Sequence, residues 1–176
     1  MIAPQLIVCM GVSGTGKTTL ARSLSSTLTW PYVEADDFHD GRNRQLMSRG
    51  IPLEDQHREP WMAAIRKHLD ELFHGGISCV LAHSGLRRAH REQLRAGGHE
   101  TRFLELAGPA ALIEQRLAHR AGHYMPASLL DSQFEAQQAT DGEADVHRLD
   151  IQRPVDHLVR DSLDVLAPFL DDATRS

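Results

Sequence analysis

Gly11-Val12-Ser13-Gly14-Thr15-Gly16-Lys17-Thr18 fits the pattern G-x-x-x-x-G-K-[ST], directly after an apolar run at Leu6–Met10 and directly before an amphipathic pattern at Gly16–Leu28. Glycines permit dihedrals closed to other residues and let successive backbone N–H groups turn inward, while the helix that follows adds the positive end of its dipole. A polyphosphate suits such a cradle. Gly11, Ser13, Gly14, Thr15 and Gly16 line it, Lys17 offers a point charge to β- and γ-phosphates, and the Thr18 hydroxyl can ligate a Mg²⁺ ion bridging phosphate oxygens. Thr19 is counted with the loop, with helix filler as its alternative role. Of 19 basic residues only Lys17 and Lys67 are lysines, so a lysine inside a glycine-rich loop stands out. The loop implies ATP and Mg²⁺; alone it does not separate a kinase from an ATPase, a GTPase switch or a nucleotide-sensing module.

Several of those classes are excluded elsewhere in the chain. A GTPase needs a guanine-reading N-K-x-D and a switch D-x-x-G, and neither occurs. The 176 residues suffice for one domain, read here as 1–176, and leave no room for the oligomerisation elements of a large ATPase. A net charge of -5 gives no basic field to hold nucleic acid. No apolar stretch approaches the roughly 18 residues that span a bilayer, and no positive segment precedes an apolar one at the N-terminus, so the expected location is the cytoplasm, away from membranes. Cys9 and Cys79 lie in apolar runs and read as buried, reduced core thiols.

Apolar runs of strand length recur at Leu6–Met10, Tyr32–Ala35, Ser78–Ala82, Thr101–Leu106 and Val146–Ile151. Helical spacing separates them at Gly16–Leu28, Trp61–Phe73, Arg87–Arg95, Pro109–Arg120, Ala127–Gln138 and Pro154–Leu170. This alternation predicts a three-layer α/β/α fold around a five-stranded parallel sheet. The polar stretches Asp37–Glu59 and Ala121–Asp145 read as irregular insertions flanking an active site beyond the carboxyl ends of the strands.

Met10–Thr19, then Asp36-Asp37-Phe38-His39 with Arg42-Asn43 and Met47, then Gly50-Ile51-Pro52-Leu53 through Arg58, Pro60 and Trp61 resemble the gluconokinase family in order and spacing. The resemblance covers roughly residues 5–170. It implies a nucleoside monophosphate kinase-like architecture with an acceptor-binding insertion at 37–60, a helical lid at 118–145, and transfer of the γ-phosphoryl of ATP to the 6-hydroxyl of gluconate. Asp36 stands where the family carries its G-D-x-x-H aspartate, with Ala35 in place of glycine. A carboxylate there can orient the attacking hydroxyl, take its proton late in transfer, or hold a water of the Mg²⁺ shell. Its other reading is a helix N-cap near Phe38, a role for which Asp37 is the better candidate. His39, Arg42 and Asn43 follow as donors for the carboxylate and hydroxyls of a polyol acid.

Arg58 matches the arginine of a D-x-D-R-x-P-W element whose second aspartate is here His57, and Trp61 reads as core. After the third strand the family's C-S-A-L-K and Tyr-Arg become His83-Ser84-Gly85-Leu86-Arg87 and His90-Arg91. Arg87 keeps the cation but exchanges an ammonium for a planar fork. His83 is either a substrate contact or a satisfied strand-end histidine, the second being favoured. Arg116, Arg120 and Gly122-His123-Tyr124 match the family's lid stretch. By that resemblance the two arginines cover the transferring phosphoryl, and His123 sits on the acceptor side. Ser132-Gln133-Phe134-Glu135 continues the pattern, and Gln137-Gln138-Ala139-Thr140 departs from it. Asp150-Ile151-Gln152-Arg153-Pro154 resembles the loop beneath the adenine, with Arg153 and Pro154 as base contacts. The departures leave another sugar acid, a polyol or a shikimate-like acceptor as alternatives, and a non-catalytic nucleotide-binding regulator as the alternative outside the class. A homodimer follows the resemblance, without an interface motif in the chain.

Overall fold

Every side chain of β1 (Gln5–Met10) is buried, as expected of a central strand covered on both faces. In the computed structural model, which describes residues 3–119 and 127–172, β1 lies between β3 (Cys79–Ala82) and β4 (Glu100–Ala107). The outer strands β2 (Tyr32–Glu34) and β5 (Val146–Asp150) complete the order β2-β3-β1-β4-β5. Every pairing is parallel, so the expected five-stranded sheet forms.

Side chains alternate along β1, and the two faces take different layers. Ile7 and Cys9 join α1 (Lys17–Leu28), α5 (Ala110–Ala118), α6 (Ala127–Ala136) and α7 (Val155–Asp172). Leu6, Val8 and Met10 join α3 (Asp55–His74) and α4 (Arg88–Arg95). Cys9 and Cys79 are buried free thiols, and burial pushes the Cys79 thiol up to about 12. Among the described residues no helix is long and apolar enough to cross a membrane.

The stretch read as irregular before Trp61 is mostly helical. It holds a 3-10 turn at Ala35–Phe38, then α2 (Gly41–Ser48), then the opening turns of α3. α3 begins at Asp55 rather than Trp61 and continues through Pro60. His57 makes the early start possible: its Nδ1 accepts the Glu54 backbone N–H at 3.2 Å, satisfying one of the orphan donors of a helix start. Pro60 cannot donate to the carbonyl of Gln56, but both residues are exposed and water can take that acceptor.

Candidate active site

The phosphate-loop glycines adopt φ values closed to side-chain-bearing residues, +141° at Gly11, +84° at Gly14 and +100° at Gly16. Space excludes a side chain as well: a Cβ on Gly11 would lie 2.5 Å from the Leu106 carbonyl oxygen, and one on Gly14 2.8 Å from Leu117 Cγ. The Val12 carbonyl accepts hydrogen bonds from Thr15 Oγ1 at 2.8 Å and from Lys17 Nζ at 3.0 Å, which folds the loop on itself. Ser13 donates its backbone N–H to Gln133 Oε1 at 2.7 Å and accepts from Gln133 Nε2 at 3.0 Å, so α6 grips the loop. Thr18 Oγ1 donates to Glu34 Oε2 at 2.8 Å, and the Tyr32 hydroxyl donates to the same oxygen. Burial first, and Glu34 second, push the Tyr32 phenol up to about 12. Thr19 is exposed. A hydroxyl and a carboxylate side by side beside the loop are the hard oxygen donors that suit Mg²⁺.

Neither Gln133 nor Glu34 stands out from motif spacing. Gln133 is signalled only by the Ser132–Glu135 match, and Glu34 only by lying two residues before Asp36 at a strand end.

Beyond β2, Asp36 and Asp37 are exposed on the 3-10 turn, with Asp36 Oδ1 3.9 Å from His39 Nε2. The helix cap expected of Asp37 belongs to Asp40, whose Oδ1 accepts the Asn43 N–H at 2.6 Å. Trp61 Nε1 donates to the Ala35 carbonyl at 2.7 Å, which fixes the turn carrying Asp36. Stacked on the indole are His39, at 4.6 Å between ring centres and 8° between planes, and His83, at 4.8 Å and 14°. His90 meets both Trp61 and His83 edge-on. Burial lowers all three imidazole pKa values, His83 to about 3 and His90 to about 4, and the charge of Lys17 is a further cause at His83. His83 Nδ1 accepts the Gly85 N–H at 2.8 Å, so its proton sits on Nε2, facing Met62 Sδ at 3.2 Å. His83 is therefore the satisfied strand-end histidine.

Of the other acceptor-side candidates, Arg42 is exposed on α2, whereas Asn43 is buried and donates from Nδ2 to the His57 carbonyl at 2.8 Å. Arg44, unremarked in the sequence, donates to the carbonyls of His39 and Asp37 at 2.8 and 2.9 Å. Arg58 and Arg87 come from separate helices onto one oxygen, Asp55 Oδ1; Arg58 Nη1 stands 3.4 Å away and Arg87 Nη1 forms the closer ion pair. Arg91 is fully buried and bonds the carbonyls of Gly85, at 2.8 Å, and Ala139, at 3.2 Å, together with both oxygens of Glu143.

The departing segment Gln137–Thr140 is also engaged. Gln138 Oε1 accepts the Arg88 N–H that opens α4 at 2.6 Å, while Gln137 and Thr140 donate to Glu105 at the end of β4.

On the nucleotide side, Arg116 donates to the Ile151 carbonyl at 2.7 Å and to the Thr15 carbonyl at 3.5 Å, which ties the phosphate loop to the segment after β5. Arg153 is ion-paired with Asp161 of α7, and Pro154 is exposed. Arg120 and His123 lie outside the described residues. Among the described residues no group of three or more His, Cys, Asp or Glu side chains is placed to hold a metal.

The parallel sheet, the strand–loop–helix phosphate cradle and the polar side chains that follow the strands define a P-loop small-molecule kinase. The AAA domain family matches residues 6–141. The gluconokinase of Gluconobacter oxydans is 40% identical over 148 residues, covering 84% of this chain and 83% of that protein. A gluconokinase from Sinorhizobium meliloti superposes with a TM-score of 0.87 at 34% identity, covering 99% of this chain and 98% of the other. An unliganded sugar kinase from Janibacter sp. gives 0.88 at 38% identity, covering 93% and 95%. The chain belongs to the gluconokinase family.

Proposed function

We propose that this cytoplasmic enzyme transfers the γ-phosphoryl of ATP to the 6-hydroxyl of D-gluconate. The observation that carries the reading is the pair of guanidinium groups, Arg58 of α3 and Arg87 at the start of α4, which meet on one oxygen of Asp55. A planar fork on each matches the geometry of a carboxylate, the group that distinguishes a sugar acid from a sugar. The relatives named gluconokinase support the same acceptor.

In this reading the loop amides and Lys17 hold the β- and γ-phosphates, and Thr18 with Glu34 holds Mg²⁺, which when bound neutralises charge on the phosphates. Asp36 orients the attacking hydroxyl and takes its proton late in transfer, on a turn that Trp61 keeps in place. His39 and Arg42 serve the hydroxyl chain of the acceptor, and Asn43 holds α2 against α3 beneath them. By the family resemblance Arg116 serves the nucleotide, Arg120 the transferring phosphoryl and His123 the acceptor, and Arg153 and Pro154 border the base.

ADP release measured against gluconate, other sugar acids, glucose, polyols and shikimate tests this. Gluconate should give the highest specificity constant. A better acceptor among the others would redirect the assignment, and ATP binding without any acceptor-stimulated release would make the protein a nucleotide sensor.

A further inference from the structure

Asp55 opens α3 with its side chain in solvent, 69% exposed, while Arg87 is the N-cap of α4 and Arg58 lies one turn along α3. The two arginines are 33% and 22% exposed, so a solute can reach them. Arg58's pKa is lowered by burial and then by the positive charge of Arg87, which places the two cations within reach of each other. Among the described residues they share one carboxylate oxygen, leaving a net positive charge and most of their N–H donors for another anion. The Arg87 contact in turn holds the Asp55 carboxyl below the usual carboxylate range.

We propose that Asp55 is an internal stand-in for the acceptor's carboxylate: it occupies the Arg58–Arg87 pair until an anionic acceptor displaces it, and so sets which acceptors are admitted. The inference rests on Arg58 and Arg87 receiving that carboxylate. Displacement is feasible because an exposed aspartate can rotate into water. It is selective because a neutral sugar brings no charge to exchange for the one it removes. Asp55 therefore weakens the binding of every acidic acceptor while narrowing entry to those whose carboxylate can compete, and re-pairing of Asp55 with the arginines favours release of the anionic product.

Calorimetric titration of gluconate and of glucose into the wild type, Asp55→Asn and Asp55→Ser tests this, with circular dichroism confirming that each is folded. Both variants should bind gluconate more tightly, by about 1.5- to 5-fold, the range of an exposed charge contact, with no gain for glucose. Gluconate bound by the wild type but equally or more weakly by both variants would overturn the stand-in role and leave the acceptor assignment intact. Failure of the wild type itself to bind gluconate would overturn both.

Discussion

His83 shows how a single side chain can be set by its surroundings. It replaces a cysteine of the family, and at 1% exposure it keeps both ring nitrogens occupied inside a stack with Trp61. Its pKa falls from 6.5 to about 3 in the fold, so the unfolded chain takes up a proton that the folded chain refuses between those values. Stability from this group is complete above about pH 6.5 and is lost as pH falls towards 3, at roughly 1.4 kcal/mol per pH unit. Urea denaturation at pH 7, 6 and 5 should show a steeper loss of stability in the wild type than in His83→Cys, the other lowered histidines contributing to both slopes; parallel slopes would mean that His83 is protonated in the fold. Asp36 makes the complementary residue-scale prediction. It is exposed, and its turn is held by Trp61, so Asp36→Asn should fold normally and bind ATP as before while kcat falls by about 10² to 10⁴. Unchanged turnover would return Asp36 to a structural role.

At the scale of elements, Arg91 joins pieces that are far apart in the chain. Its guanidinium holds the loop after β3 through Gly85, and the approach to β5 through Ala139 and Glu143, while Arg95 adds bonds to Glu143 and Asp145. The Glu143 carboxyl is held down at about 2 by Arg91. Its contribution is complete above the ordinary value of 4.5 and is lost as pH falls through about 2. Removing Glu143 strands the charge of the fully buried Arg91, whereas Glu143 without Arg91 would still have Arg95. Glu143→Leu should therefore lower unfolding free energy by about 3 to 5 kcal/mol, and Glu143→Leu with Arg91→Met should recover most of it. A double variant as unstable as the single would show that Arg91 acts through the Gly85 and Ala139 carbonyls instead.

For the molecule as a whole, the crevice at the strand ends is where stability and function meet, because nucleotide binds only the folded chain. A non-hydrolysable ATP analogue with Mg²⁺ at about 100 times its Kd should stabilise the protein by about 2.7 kcal/mol, raising Tm by roughly 5 to 10 °C for a chain of this size. Lys17 carries the charge at the loop without belonging to the buried core, so Lys17→Ala should melt where the wild type melts without ligand, show little or no shift with nucleotide, and release little ADP. A full shift and full turnover in that variant would remove the phosphate loop from the mechanism.

The sequence by itself determined the sheet, the phosphate cradle and the family, because those rest on local physics: alternation of apolar runs, glycines at conformations only glycine adopts, and a motif contiguous in the chain. It placed Lys17 and Thr18 at the start of the helix after the loop and Asp36 just beyond the second strand for the same reason. Tertiary structure alone decided the rest. That α3 starts at Asp55 rather than at the Trp61 suggested by apolar spacing follows from His57 capping Glu54. That His83 is satisfied, Asn43 faces inward, Gln133 grips Ser13 and Arg58 meets Arg87 over Asp55 depends on contacts between residues as many as 120 positions apart. A hydrogen bond or ion pair of this kind leaves no periodicity in the chain; it is set by which side chains the packed helices bring within about 3 Å of one another.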